Sequence, residues 1–79
     1  MSKYKDYKYT VHWVDEDAHE IKVHGTYETY LEAWWSIKEW WKSNNFTPKY
    51  VRVLGEPVVD DVVTIDYGLH SAFYKIVRV

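Results

Sequence analysis

Tyr7-Lys8-Tyr9-Thr10-Val11-His12-Trp13-Val14 decides the reading of this chain. Tyr7, Tyr9, Val11 and Trp13 fall on one face of an extended strand, and Lys8, Thr10 and His12 on the other. His19 to Gly25 repeats the period, with Ile21 and Val23 apolar against Glu20, Lys22 and His24. Asp15-Glu16-Asp17-Ala18 between them has turn composition, so the two strands predict a hairpin. If the odd-numbered apolar residues of both strands share a face, paired residue numbers sum to an even number. The connecting loop then holds an odd number of residues.

A helix follows. Thr29-x-x-Glu32 fits a capping box, with Thr26 an alternative start, and Asn44-Asn45 ahead of Thr47-Pro48 fits a left-handed cap and a stop. On a helical wheel Tyr30, Ala33, Trp34, Ile37, Trp40 and Trp41 gather into one arc, the expected core face. Leu31 and Trp35 fall outside it, beside Lys38 and Lys42. Three further strands are predicted, Tyr50–Leu54, Val58–Tyr67 and Phe73–Val79, divided by a Gly55-Glu56-Pro57 turn and a loop from Gly68 to Ala72. Their odd-numbered residues, Val51, Val53, Val59, Val63, Ile65, Tyr67, Phe73, Val77 and Val79, form the expected core face. Tyr50, Leu54, Val58, Val62, Tyr74 and Ile76 are left for the opposite face. The pattern predicts an α+β fold in two layers, ββαβββ, with a mostly antiparallel sheet and one Trp-rich helix packed on one face. Residues 1–79 read as a single domain.

Composition narrows the function classes. The 79 residues contain no cysteine, which excludes disulfides, thiolate metal sites and thiol catalysis. Ten Lys and Arg against twelve Asp and Glu leave a net charge of −2, which argues against strong nucleic-acid binding. No apolar run has membrane length and the start carries no apolar leader, so a cytoplasmic protein is expected.

Signatures of chemistry are sparse, and no enzyme, cofactor or metal is expected. Asp66, His70 and Ser71 bring an acid, a base and a hydroxyl close in sequence, as a small hydrolase would need. Adjacent His70 and Ser71 in a loop rarely face each other, however, and Gly68 with Asp66 or Ser71 explains a hairpin loop without catalysis. His12 and His24 are expected on one exposed face, with His12 opposite Glu20 in one register and Lys22 in the other. Two imidazoles and a carboxylate can ligate zinc, but no ligand motif accompanies them, and solvated histidines are the simpler account. Alternation puts Asp60 and Asp61 on opposite faces, so either a bulge intervenes or the strand starts at Val62. Lys3, Lys5 and Lys8 interleave with Tyr4, Tyr7 and Tyr9, the nearest approach to a stacking nucleic-acid site, but five acidic residues from Asp6 to Glu20 blunt it.

The aromatics carry the functional signal: five Trp, eight Tyr and two Phe. Trp13, Trp34, Ile37 and Trp41 suffice for a core. Trp35 does not belong there; among Leu31, Lys38 and Lys42 it either anchors a partner or packs under an N-terminal arm bearing Tyr4. Trp40, at the edge of the arc, serves either core or surface.

Thr64-Ile65-Asp66-Tyr67-Gly68-Leu69-His70-Ser71-Ala72-Phe73 resembles a C-terminal motif of small phage and prophage proteins of Gram-positive bacteria. In that motif Ile-Asp-Tyr-Gly-Ser-His is followed by a hydroxyl residue, any residue and Phe; here Leu69 stands in the place of Ser. The resemblance implies a setting of phage–host conflict in the host bacterial cytoplasm. Small phage proteins there include inhibitors of host defence, anti-CRISPR proteins and scavengers of immune nucleotides. The reading that follows is a non-catalytic binding protein that docks on and inhibits a host protein through Trp35, Leu31, Lys38, Lys42 and Trp40. The alternative is an aromatic-lined sponge that sequesters a nucleotide signal. Tyr50, Leu54, Val62, Tyr74 and Ile76 on the second face further predict a homodimer, joined sheet to sheet or through Phe73–Val79 as an edge strand. That patch dissolves if the phase of Phe73–Val79 is opposite, with Tyr74 and Ile76 in the core.

Overall fold

The computed structural model describes residues 8–57 and 59–79. The expectations for Tyr4, Tyr7, Lys3, Lys5 and Val58 lie outside the described residues. Element order is β1 (Tyr9–Asp15), β2 (Glu20–Tyr27), α1 (Tyr30–Ser43), β3 (Arg52–Leu54), β4 (Val62–Asp66) and β5 (Ala72–Arg78), the α+β, ββαβββ succession that the periodicities predict. All pairings are antiparallel, in the sheet order β2-β1-β5-β4-β3. β5 is therefore a central strand, and pairing of copies through Phe73–Val79 as an edge is corrected.

The helix starts and stops as its caps dictate. Thr29 Oγ1 accepts the Glu32 N–H at 3.0 Å, and Glu32 Oε1 accepts the Glu28 N–H at 3.2 Å. At the far end Asn45 takes a left-handed φ of 52°. The Asn45 N–H then donates to the Lys42 carbonyl (3.2 Å) and the Phe46 N–H to the Trp41 carbonyl (2.8 Å), a Schellman motif. Ala33, Ile37 and Trp41 are the buried stripe, at i, i+4 and i+8. They pack on Val11, Val63, Ile65, Tyr67, Ala72, Tyr74 and Ile76. Tyr30 and Trp34, from the expected arc, are half-buried against this core, whereas Trp40 is exposed.

Two strand phases differ from expectation, each for a parity reason. In the hairpin, Val11 pairs with Gly25 but His12 pairs with Val23, so His24 is an extra residue in a β-bulge. The loop is residues 16–19, an even count, closed by the Asp15 carboxylate accepting the Asp17 and Ala18 N–H groups at 3.1 and 3.2 Å. Ile21 therefore sits opposite Val14, and Val23 opposite His12, on the face away from the helix. Both are exposed. In the last hairpin Ile65 pairs with Tyr74 and Val63 with Ile76, an odd sum, which brings odd residues of β4 beside even residues of β5. Tyr74 (3% exposed) and Ile76 (1%) are thus core, and Phe73 and Val77 lie on the free face. This corrects their assignment to an outward binding surface. Val53 shares the helix-side face with Ile65, but at the margin of the sheet it is exposed, as is Val51.

Candidate functional site

Between the C-terminal end of α1 and the sheet lies a cleft of about 810 Å³. The sheet side supplies Trp13, Lys22, His24, Tyr67 and Tyr74, the helix side Trp40, Trp41 and Asn44, and the flanking loops Phe46 and Leu69. The buried stripe runs from Ala33 through Ile37 to Trp41, so the largest of the three side chains stands at the C-terminal turn, where the cleft lies. The Schellman motif then folds Phe46 back against Trp41, with ring centroids 6.3 Å apart.

The cleft is floored by interlocked rings. Trp41 lies 5.5 Å from Tyr67 and 6.0 Å from Tyr74, and the two tyrosines are 5.1 Å apart. The bulge turns His24 to this side, where its ring meets Trp40 edge-on at 5.7 Å and Tyr74 at 6.0 Å. Its Nε2 lies 3.4 Å from the Ser36 carbonyl. Trp13 Nε1–H donates to the Tyr67 hydroxyl at 2.8 Å, and the Lys22 ammonium stands over the Trp13 ring at 5.8 Å. Burial raises the pKa of Tyr67 against a smaller opposing effect of the Trp13 hydrogen bond. Burial likewise pushes Tyr74 up to about 12, reinforced by Tyr67 and opposed by the Trp41 indole. Among the described residues Trp41 Nε1 has no acceptor within hydrogen-bond geometry, and it is buried on a residue 7% exposed.

Comparison with family models, curated proteins and solved structures finds no match.

The flank expected to bind is present on α1. Trp35 is 62% exposed, with Leu31 one turn earlier also in solvent and Lys38 and Lys42 exposed beside it. The Lys38 ammonium covers the Trp34 ring at 5.0 Å. Trp40 (53% exposed) belongs to the rim of the cleft rather than to that flank. Tyr50, exposed two residues ahead of β3, lines a second hollow of about 510 Å³ with Leu54, Thr64, Asp66, His70 and Phe73.

That hollow contains two of the three residues singled out for hydrolysis. Asp66 is committed elsewhere: Oδ2 accepts from Arg52 Nη2 at 2.8 Å and Nε at 3.3 Å, and Oδ1 accepts the Gly68 N–H at 3.1 Å. The Arg52 hydrogen bond, then that of Gly68, holds its pKa below the usual carboxylate range. Among the described residues no hydrogen bond links Asp66 to His70 or His70 to Ser71. The expected shared face of His12 and His24 is corrected by the bulge: His12 faces away from the helix and pairs with Val23, not with Glu20 or Lys22. No group of three or more His, Asp or Glu among the described residues is placed to hold a metal ion. Asp60 and Asp61 precede β4, which begins at Val62. Asp60 accepts the Glu56 N–H at 2.7 Å, and Asp61 pairs with Arg78 at 2.7 Å. Among the described residues no helix is long and apolar enough to cross a membrane.

Proposed function

We propose that this chain is a small non-catalytic binding protein that docks on a host protein and inhibits it, in the phage–host setting and host cytoplasm that the resemblance implies. One observation carries the reading: Trp35 stands 62% exposed with Leu31 on the adjacent turn, on a helix whose burial needs are met by Ala33, Ile37 and Trp41. Trp at the centre of an apolar patch is the residue type that anchors interfaces, and Lys38 and Lys42 suit a partner whose pocket has an acidic rim. The ion pair and hydrogen bond that occupy Asp66 support a non-catalytic role for the β4–β5 loop. Pull-down from host lysate with the wild type and Trp35→Ala tests it. Loss of one protein with the variant is expected, and equal recovery of every protein removes the reading.

The free sheet face supports a second association, a homodimer joined face to face. Ile21, Val23, Leu54 and Val62 are exposed there around half-buried Val14, Phe73 and Val77, and a net charge of −2 offers little repulsion between copies. Light scattering over a dilution series decides it: a mass near 9.6 kDa at every concentration removes the dimer.

A further inference from the structure

A buried N–H without an acceptor gives up its hydrogen bond to water and gets none in return, so native structures rarely leave one without a reason. Trp41 Nε1 is such a group, and its ring lines the cleft between α1 and the sheet. Tyr67 already accepts from Trp13, so its own O–H proton is available, and the Tyr74 phenol lies beside it in the same lining. The cleft floor is thus rich in donors, while most of its lining is aromatic. A volume of about 810 Å³ is within the ordinary range for small-molecule sites of ~300–1,000 Å³.

Charge narrows the occupant further. Lys22 is the one Lys or Arg among the described residues that line the cleft, with His24 the other basic side chain. Of the two arginines, Arg52 is tied to Asp66 and Arg78 to Asp61, both away from this lining. A polyphosphate would find one ammonium and no guanidinium. A flat ring would find aromatic faces, an edge-on His24–Trp40 pair at 5.7 Å, and donors at depth.

We propose that this cleft binds a planar aromatic small molecule that bears a hydrogen-bond acceptor and at most one negative charge, with the acceptor on Trp41 Nε1–H. Trp40 is its exposed wall, and Lys22 the counter-charge for a carboxylate. The site is distinct from the Leu31–Trp35 flank, so neither proposal depends on the other.

Calorimetric titration of the full chain with 2-naphthoate, together with proton–nitrogen correlation spectra of the indole N–H groups, tests it. Saturable one-to-one binding is expected, with a downfield shift of the Trp41 indole proton as it gains an acceptor. Trp41→Phe removes the donor together with part of the indole ring, and should weaken binding by at least about 2- to 12-fold, the net worth of the hydrogen bond alone. Trp40→Ala removes an exposed wall at little risk to folding and should weaken binding about 5-fold or more, as stacked rings do. Adenosine should bind at least as well as ATP. Absence of saturable binding, an unmoved Trp41 resonance, indifference to Trp40→Ala, or tighter binding of ATP than adenosine overturns the proposal. If Trp41→Phe fails to fold, the wild-type resonance and Trp40→Ala decide.

Discussion

Replacing Tyr67 by Phe leaves the ring among Trp41, Tyr74 and Phe46, at 5.5, 5.1 and 5.7 Å, and removes only the hydroxyl that accepts the Trp13 indole N–H at 2.8 Å. No cavity forms beyond one oxygen, so transfer and packing energies nearly cancel in the comparison. What remains is one hydrogen bond, a net contribution of about 1 kcal/mol. Trp13 is half-buried and its freed N–H can recover a water, which keeps the loss at that level rather than at the higher cost of a sealed donor. For a domain of this size such a loss lowers Tm by about 4–8 °C. Trp13→Phe removes the same bond from the other side, along with part of a large ring, so its own loss is greater. The double variant isolates the bond: urea unfolding of all four proteins should give a coupling of about 0.5–1.5 kcal/mol. Strict additivity would refute the argument that the cleft wall at Trp13 is held to its floor by this bond.

Three further outcomes are expected. The Tyr74 phenol has a folded pKa raised to about 12 by burial, so its contribution to stability is full below pH 10 and lost as pH climbs toward 12. Tyr74→Phe should therefore flatten the alkaline limb of a Tm-against-pH curve; an unchanged limb counts against the burial argument. Asp66 has the opposite sign. Its folded pKa is depressed, so its contribution is present above the ordinary carboxylate pKa near 3.9 and fades as pH falls below it. Asp66→Asn should make the acid limb shallower, and an identical limb would show that the Arg52 pair is idle in solution. Thr29→Ala removes the acceptor of the Glu32 N–H and should cost about 1 kcal/mol by thermal or urea unfolding, whereas Thr29→Asn should restore most of it.

Local signals in the sequence carried the element order, the Thr29 cap, the left-handed Asn45 and the stripe of Ala33, Ile37 and Trp41, because each depends on neighbours within one or two turns. The strand faces were less legible. Alternation within β1 and β4 reads true, but the parity between strands is set by loop and bulge, and neither His24 as an extra residue nor the odd sum of Ile65 with Tyr74 leaves a mark in composition. Ile21 and Val23 look like core from their period and lie in water because the four-residue loop pairs them with Val14 and His12. The cleft suffered most. Trp40 stands at the edge of the helical arc, but Tyr67, Tyr74, Phe46 and His24 converge on it only through tertiary placement. A Schellman reading of Asn45 would have placed Phe46 against Trp41 in advance.

The bulge in β2 has a further effect on how copies of this chain meet. Among the described residues the sheet of five strands has two open margins, β2, interrupted at His24, and β3, only three residues long. Neither offers a long, regular row of free amide and carbonyl groups on which another chain could template itself. A protein that is 47% hydrophobic and nearly neutral is otherwise exposed to strand-by-strand growth into fibres. Straightening β2 by deleting His24 would extend a clean, pairable margin, and with it the tendency of the chain to polymerise.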